Sequence, residues 1–246
     1  MYVYVLGPAL VVVVASFNSA TSFPSPFEAF TLRWYVQLFR HREFVQSMQV
    51  SLVVAGAAAS IATLLGGPAA FVFVRSRFQG RHAFVALFTA PLVVPQIVLG
   101  LAMLQFLSVL KLPITMAGLV LIHAVFVLPY TLRAMVTSLT HFDRTLEEAA
   151  TSLGASWIRT LWHVTLPLTR TGFTVGFVLA FVVSFVNVPL SLFLAAPGST
   201  TLPIRLFAYI ESRLDPLVAA VGAFLILVAF ATTLFVDRVL RLRLLL

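Results

Sequence analysis

The chain has 246 residues, of which 61% are hydrophobic and only 10% charged. A soluble domain carries about a quarter charged residues. With a mean hydropathy of +1.05 and repeated apolar runs of roughly 20 residues, the composition points to an integral membrane protein. These residues include no cysteine, which excludes disulfides, thiolate metal sites and Cys redox pairs. The net charge of +8 comes from Arg and Lys scattered between apolar segments rather than gathered in a stripe. We read them as topology signals and not as a nucleic-acid surface.

Six apolar segments follow in chain order, at residues 2–17, 50–74, 83–109, 114–136, 171–196 and 217–236. Five are long enough for a hydrocarbon core about 30 Å thick. The first is short and could be the core of a secretory signal, yet no basic residues precede it and no A-x-A-like site clearly follows it. We read it as a first span whose N-terminal cytoplasmic tail is missing. The loop SPFEAFTLRWYVQLFRHREFVQSMQ, residues 25–49, predicts a short amphipathic helix with Trp34 and Tyr35 at headgroup depth. The 197–216 loop, punctuated by Pro and Gly at both ends, is expected to fold back partway.

The spans are interrupted at Gly66-Gly67-Pro68, Pro91, Pro95, Gly100, Pro129 and Pro189, and residues 55–60 are all Ala, Gly or Ser. Such breaks fit either a tightly packed bundle or helices that bend during transport. Orientation follows from the basic residues. Arg75, Arg77, Arg81, Arg133, Arg144, Arg159, Arg170, Arg238, Arg241 and Arg243 lie on one side. Arg33, Arg40, Arg42, Lys111, Arg205 and Arg213 lie on the other. The richer side is the cytoplasm, which places both termini inside.

Residues 137–170 form a charged island between two very apolar stretches. Thr145-Leu146-Glu147-Glu148 has the spacing of a capping box, in which Thr145 accepts from the Glu148 amide. The two acidic residues suit the first turn of a helix. Leu146, Ala149, Ala150 and Leu153 share one face, and Gly154 ends the helix in a left-handed turn. A second short helix at about 156–164 runs on to Leu166-Pro167. The result is a two-helix elbow with a small-residue surface at Ala149, Ala150, Gly154 and Ala155, poor for catalysis and suited to close approach by another protein.

The order Glu148-Ala149-Ala150, three residues, Gly154, nine residues, Val164, one residue, Leu166-Pro167 resembles the signature of permease subunits of binding-protein-dependent ABC importers. Val stands where that family has Ile. The resemblance covers nearly the whole chain. It implies an all-α membrane protein with six transmembrane helices in the type I ABC importer permease fold, a single permease domain over 1–246 and a coupling-helix loop over 137–170. It further implies that Glu147, Glu148, Ala149, Ala150, Gly154, Leu166 and Pro167 couple to a cytoplasmic ABC ATPase dimer. The expected partners are that ATPase, a second permease subunit, homologous to this one, and an external solute-binding protein. The chain itself is expected to be no enzyme and to hold no cofactor, with ATP and Mg on the ATPase. Consistently, a phosphate-binding loop of the Walker type needs a lysine, and Lys111, the single lysine, follows no glycine-rich loop.

The stretches FNSATSFPSPFEAFTLRWYVQLF, PLVVPQIVLGLAML and TTLPIRLFAYIESRLDPLVAAVGAFLIL resemble the polyamine branch, the spermidine/putrescine class, within a group that also serves other small organic solutes. Permeases of that branch commonly carry carboxylates in the fifth span. Here the region reads Ser184-Phe185-Val186-Asn187-Val188-Pro189, and no span has an acidic residue in its middle. A polycation would then pass along carbonyls, amides and aromatic rings. Candidate pathway residues are Gln96, Tyr130, Ser184 and Asn187, with Gln105 as a further polar position. Each of them could equally hold helices together.

The five histidines show no metal-ligand spacing, and His123 is expected to hydrogen-bond a neighbouring helix. An ion-coupled secondary carrier or channel is the alternative reading, and it calls for intramembrane titratable groups and inverted repeats. Neither is visible. The expected location is the bacterial inner membrane.

Overall fold

The computed structural model describes residues 2–22, 26–195 and 198–240. Among them the helices are α1 (Tyr2–Ala15), α2 (Arg33–Arg40), α3 (Arg42–Arg75), α4 (Arg81–Thr89), α5 (Gln96–Val109) and α6 (Met116–Thr140). They continue as α7 (Thr145–Ser152), α8 (Trp157–Thr160), α9 (Leu166–Phe185), α10 (Pro189–Leu192), α11 (Leu202–Ser212) and α12 (Leu217–Leu240). Extended pairing among the described residues is an isolated antiparallel bridge between Asn18 and Phe30. The expected positions Ser25, Ala196, Pro197, Arg241 and Arg243 lie outside the described residues.

Among the described residues, four helical stretches are long and apolar enough to cross a bilayer: Arg42–Arg75, Met116–Thr140, Trp157–Phe185 and Leu217–Arg238. The segment expected as one span over 83–109 is instead two helices, Arg81–Leu92 and Gln96–Val109, bent by 101°. The cause is local. Pro91 sits in a 3₁₀ turn, Ala90–Leu92, and Pro95 biases Val94 away from the helical region while lacking an amide of its own. The N-terminal apolar stretch is short, Leu6–Ala15. Of the six expected crossings, the described residues show four by length and composition, or five with the bent pair taken as one span, and a short apolar helix at the position of the first.

The residues fall into two compact units. One comprises residues 1–54, 100–119 and 185–234. Its core gathers Trp34, Leu38, Phe44, Leu202, Leu217, Ala220 and Val221. Trp34 was expected at headgroup depth; it is buried, and its indole N–H donates to the Asn18 carbonyl at 2.7 Å. Asn18 is held in turn, its amide donating to Pro26 O at 2.8 Å and its Oδ1 accepting from Glu28 N at 3.0 Å. The interfacial pattern failed here because a polar loop supplies the partner that a tryptophan needs when buried. In the 197–216 loop, α11 starts on Leu202, whose amide donates to Ser51 Oγ at 2.7 Å.

The other unit comprises residues 55–99, 120–184 and 235–246. Its core is Ala70, Phe73, Leu132, Met135 and Leu139, with Phe88 and Phe173 packed against it. Small residues let α3, α6 and α9 approach closely. A Cβ on Gly67 would lie 2.5 Å from Phe173 Cε1, and one on Gly172 would lie 2.5 Å from Ser138 Cβ. The Thr131 hydroxyl donates to Ala62 O at 2.9 Å, a side-chain bond between α6 and α3. His123 Nδ1 and Ser184 Oγ are 2.8 Å apart and buried, so His123 bonds a neighbouring helix as expected.

Candidate functional site

The elbow at 145–165 is built by strong local signals. The α7 N-terminus is capped by Asp143, whose Oδ1 accepts from Thr145 N at 2.9 Å. This corrects the Thr145–Glu148 capping box: Thr145 is already the first helical residue, so its hydroxyl is misplaced to cap. The Thr145 amide, and then its hydroxyl, hold the Asp143 carboxyl below the usual carboxylate range. At the other end Gly154 has φ +86°. Its amide donates to Thr151 O at 2.9 Å and the Ala155 amide to Ala150 O at 3.0 Å. That pair of bonds is the Schellman closure, and it satisfies carbonyls the helix would otherwise leave open.

The chain then turns into α8, capped by Ser156. The second elbow helix, expected at about 156–164 and running on to Leu166-Pro167, continues into the fifth span: one helix runs from Trp157 to Phe185, passing through Pro167 by way of a π-turn at Leu161–Thr165. Pro167 has no N–H for the carbonyl of His163, and the wider turn just before it absorbs that mismatch without a break. The helix stops at Phe185, ahead of Asn187, whose Oδ1 accepts from Leu190 N at 3.0 Å and so starts α10.

The two adjacent carboxylates have different surroundings. Glu148 is exposed. Glu147 turns inward: its Oε1 accepts from Arg75 Nη2 at 3.1 Å and from the Thr165 hydroxyl at 2.7 Å. Both lie on the wall of a cavity of about 840 Å³, formed by the ends of α3 and α6 with α7, α8 and α9. Leu166 also lines it, whereas Pro167 is exposed. Ala149 is exposed and Ala150 half-buried.

The elbow surface is more apolar than the Ala and Gly positions imply. Leu153 is 89% exposed, Trp157 62%, Ile158 61% and Trp162 64%. The motif directed attention to small residues; two tryptophans and an isoleucine within six positions of a charged loop were the available signal for this larger surface.

The four pathway candidates do not line this cavity. Tyr130 lines a second one of about 770 Å³, with Arg133, His141, Asp143 and Leu146. Ser184 is committed to His123, Asn187 caps α10, and Gln96 opens α5 behind Pro95.

A protein built this way, all helical among the described residues, with several bilayer-length apolar helices and an exposed elbow between two of them, belongs to the class of multi-pass helical membrane proteins. Residues 47–243 match the family described as the binding-protein-dependent transport system inner membrane component. The chain is 32% identical over 232 residues to the putrescine transport system permease protein PotI of Escherichia coli K12, covering 92% of this chain and 82% of that protein. It is 29% identical to the spermidine/putrescine transport system permease protein PotC of Haemophilus influenzae, covering 98% and 93%. Among solved structures it resembles a bacterial ABC transporter that imports alginate, with a TM-score of 0.68, 17% identity and coverage of 98% of this chain and 91% of that one. The MetNI methionine ABC transporter in an inward-facing form gives a TM-score of 0.68, 17% identity and coverage of 86% and 98%.

The chain belongs to the family of inner-membrane permease components of binding-protein-dependent transport systems. It has the type I ABC importer permease fold and is a multi-pass inner-membrane transport subunit, neither an enzyme nor a free-standing carrier.

Proposed function

We propose that this subunit lines the pathway of an importer for a polyamine or a related small organic solute, and that residues 1–246 act as one permease domain. The solute reading rests on the likeness to PotI and PotC over most of both chains. Its partners are a second, homologous permease, an external solute-binding protein and a cytoplasmic ABC ATPase dimer. Both termini face the cytoplasm, following the excess of Arg in the 75–81 and 133–170 loops.

The observation that carries the coupling assignment is the elbow itself. A short helix closed at both ends, α7, leads through a tight turn into α8 and the π-turn, and these present Leu153, Trp157, Ile158 and Trp162 to their surroundings. Exposed aromatic and aliphatic groups clustered at a turn are what a partner's groove takes up. Glu148, Ala149, Ala150 and Gly154 give the turn its shape and its rim. Because the helix is continuous from Trp157 to Phe185, a displacement of the docked elbow is carried directly into a span. Pathway candidates remain Gln96, Tyr130, Ser184 and Asn187.

The test is gentle extraction of the tagged chain, followed by identification of what co-purifies, for wild type and a Gly154→Trp variant. An ABC ATPase that accompanies wild type and is lost with the variant supports docking at the elbow. Equal recovery with both would overturn it. The cysteine-free sequence allows a companion measurement: a Ser152→Cys variant should be shielded from an impermeant maleimide in right-side-out vesicles and labelled in inverted ones.

A further inference from the structure

We propose that Arg75 and Thr165 are positioning residues which, through Glu147, pass movement of the elbow to α3 and to the π-turn of the α8–α9 helix. This rests on the docking reading above and adds the step that follows it. A single carboxylate oxygen, Glu147 Oε1, receives both Arg75 Nη2 and the Thr165 hydroxyl. Three elements therefore meet at one atom: the last residue of α3, the first turn of α7 and the last residue of the π-turn.

Four observations separate this junction from an ordinary surface ion pair. The Arg75 side chain is 9% exposed and that of Glu147 18%, so the pair is little screened, and losing one partner strands the other. The guanidinium also lies over the Phe142 ring, 5.4 Å from its centroid, which fixes its position near the elbow. The junction is incompletely satisfied: Arg75 Nε and the Thr160 hydroxyl are buried without hydrogen-bond partners. Both residues line the 840 Å³ cavity. The network thus borders open space into which its side chains have room to move. Finally, π-turns concentrate at functional positions in helices, and Thr165 closes this one.

The division of labour between neighbours follows. Glu148 and the exposed aromatics meet the partner, while Glu147, facing inward, does not.

The experiment uses the whole importer, reconstituted with its ATPase, second permease and binding protein. It compares wild type with Glu147→Gln, Thr165→Val, the single reversals Arg75→Glu and Glu147→Arg, and the double reversal. For each, three quantities are read: ATPase recovered with the complex, ATP hydrolysed, and putrescine taken up. The expected result is normal ATPase recovery with Glu147→Gln and at least a fivefold loss of uptake per ATP, at the low end of allosteric couplings. The double reversal should recover part of what each single reversal loses. Wild-type uptake per ATP in Glu147→Gln overturns the proposal. So does loss of the ATPase in that variant, since Glu147 would then be a docking residue. If Glu147→Gln does not reach the membrane, Thr165→Val carries the same test, because it keeps both charges and the side-chain shape. Absence of any ATPase with wild type would instead remove the docking reading on which this one stands.

Discussion

Gly154 offers the cleanest separation of elbow folding from elbow docking. Its φ of +86° lies in the left-handed region, which costs a residue with a Cβ about 1–2 kcal/mol. An added Cβ would meet nothing within 4 Å, so Gly154→Ala introduces the conformational cost and no clash. A cost of that size multiplies the open population of the elbow by roughly 5–30. Asn tolerates the left-handed region better than Ala does, so Gly154→Asn should fall between Ala and wild type. Hydrogen exchange read by mass spectrometry on the segment 145–155 reports this opening directly. The expected order of exchange is Ala fastest, then Asn, then Gly, with peptides from the middle of α3 and α6 unchanged. Gly154→Trp should match Ala in exchange yet lose far more ATPase, because only Trp adds bulk to the docking face. Identical exchange for Ala and Gly would refute the backbone argument, and equal ATPase loss for Ala and Trp would refute the separation of roles.

Two further outcomes test the packing and the external loop. Gly67→Ala drives a methyl into Phe173, 2.5 Å away, and overpacking of this kind costs about 1–3 kcal/mol; the melting midpoint should fall, and Phe173→Leu in the same chain should restore part of it. Tyr209, whose hydroxyl donates to Asp215 Oδ2 at 2.7 Å, has its pKa pushed up to about 12 by burial first and the Asp215 hydrogen bond second. The neutral phenol is the stabilising form, so its contribution is complete below the ordinary value of about 10 and lost as pH rises through 12. A phenolate absorbance titration should lose a late-ionising component in Tyr209→Phe; a titration unchanged by that substitution would contradict the Tyr209–Asp215 bond.

What could be read from the residues alone was whatever depends on short range. The left-handed stop at Gly154 needs only glycine's freedom and the end of an apolar face. The helix dipole and capping logic placed α7 correctly but assigned the cap to Thr145, two positions past Asp143, because both residues offer an oxygen and only backbone geometry distinguishes them. Pro167 has no N–H to continue an α-helical ladder, and the π-turn that accommodates it has no compositional mark. Pro91 and Pro95 signalled disruption, yet nothing in the composition distinguishes a 101° bend from a mild kink. The Arg75–Glu147 contact joins residues 72 apart in the chain, so no local pattern could announce it, and the same holds for Trp34 finding the Asn18 carbonyl.

The placement of charge also bears on the solute. All eight acidic residues are Glu28, Glu43, Asp143, Glu147, Glu148, Glu211, Asp215 and Asp237, and none lies in the middle of a long apolar helix. Of these, Glu147 is already neutralised by Arg75. A polyamine crossing such a subunit meets no fixed counter-charge from it, only carbonyls and aromatic faces whose attraction is about 0.5–2 kcal/mol each. Weak contacts of that order suit passage, since a site that held a polycation tightly would have to be pulled apart again on every cycle. This chain therefore supplies no carboxylate in the middle of a span that could select a cation by charge. Replacing Tyr130 or Asn187 in this subunit should accordingly alter the rate of uptake far more than its choice of solute.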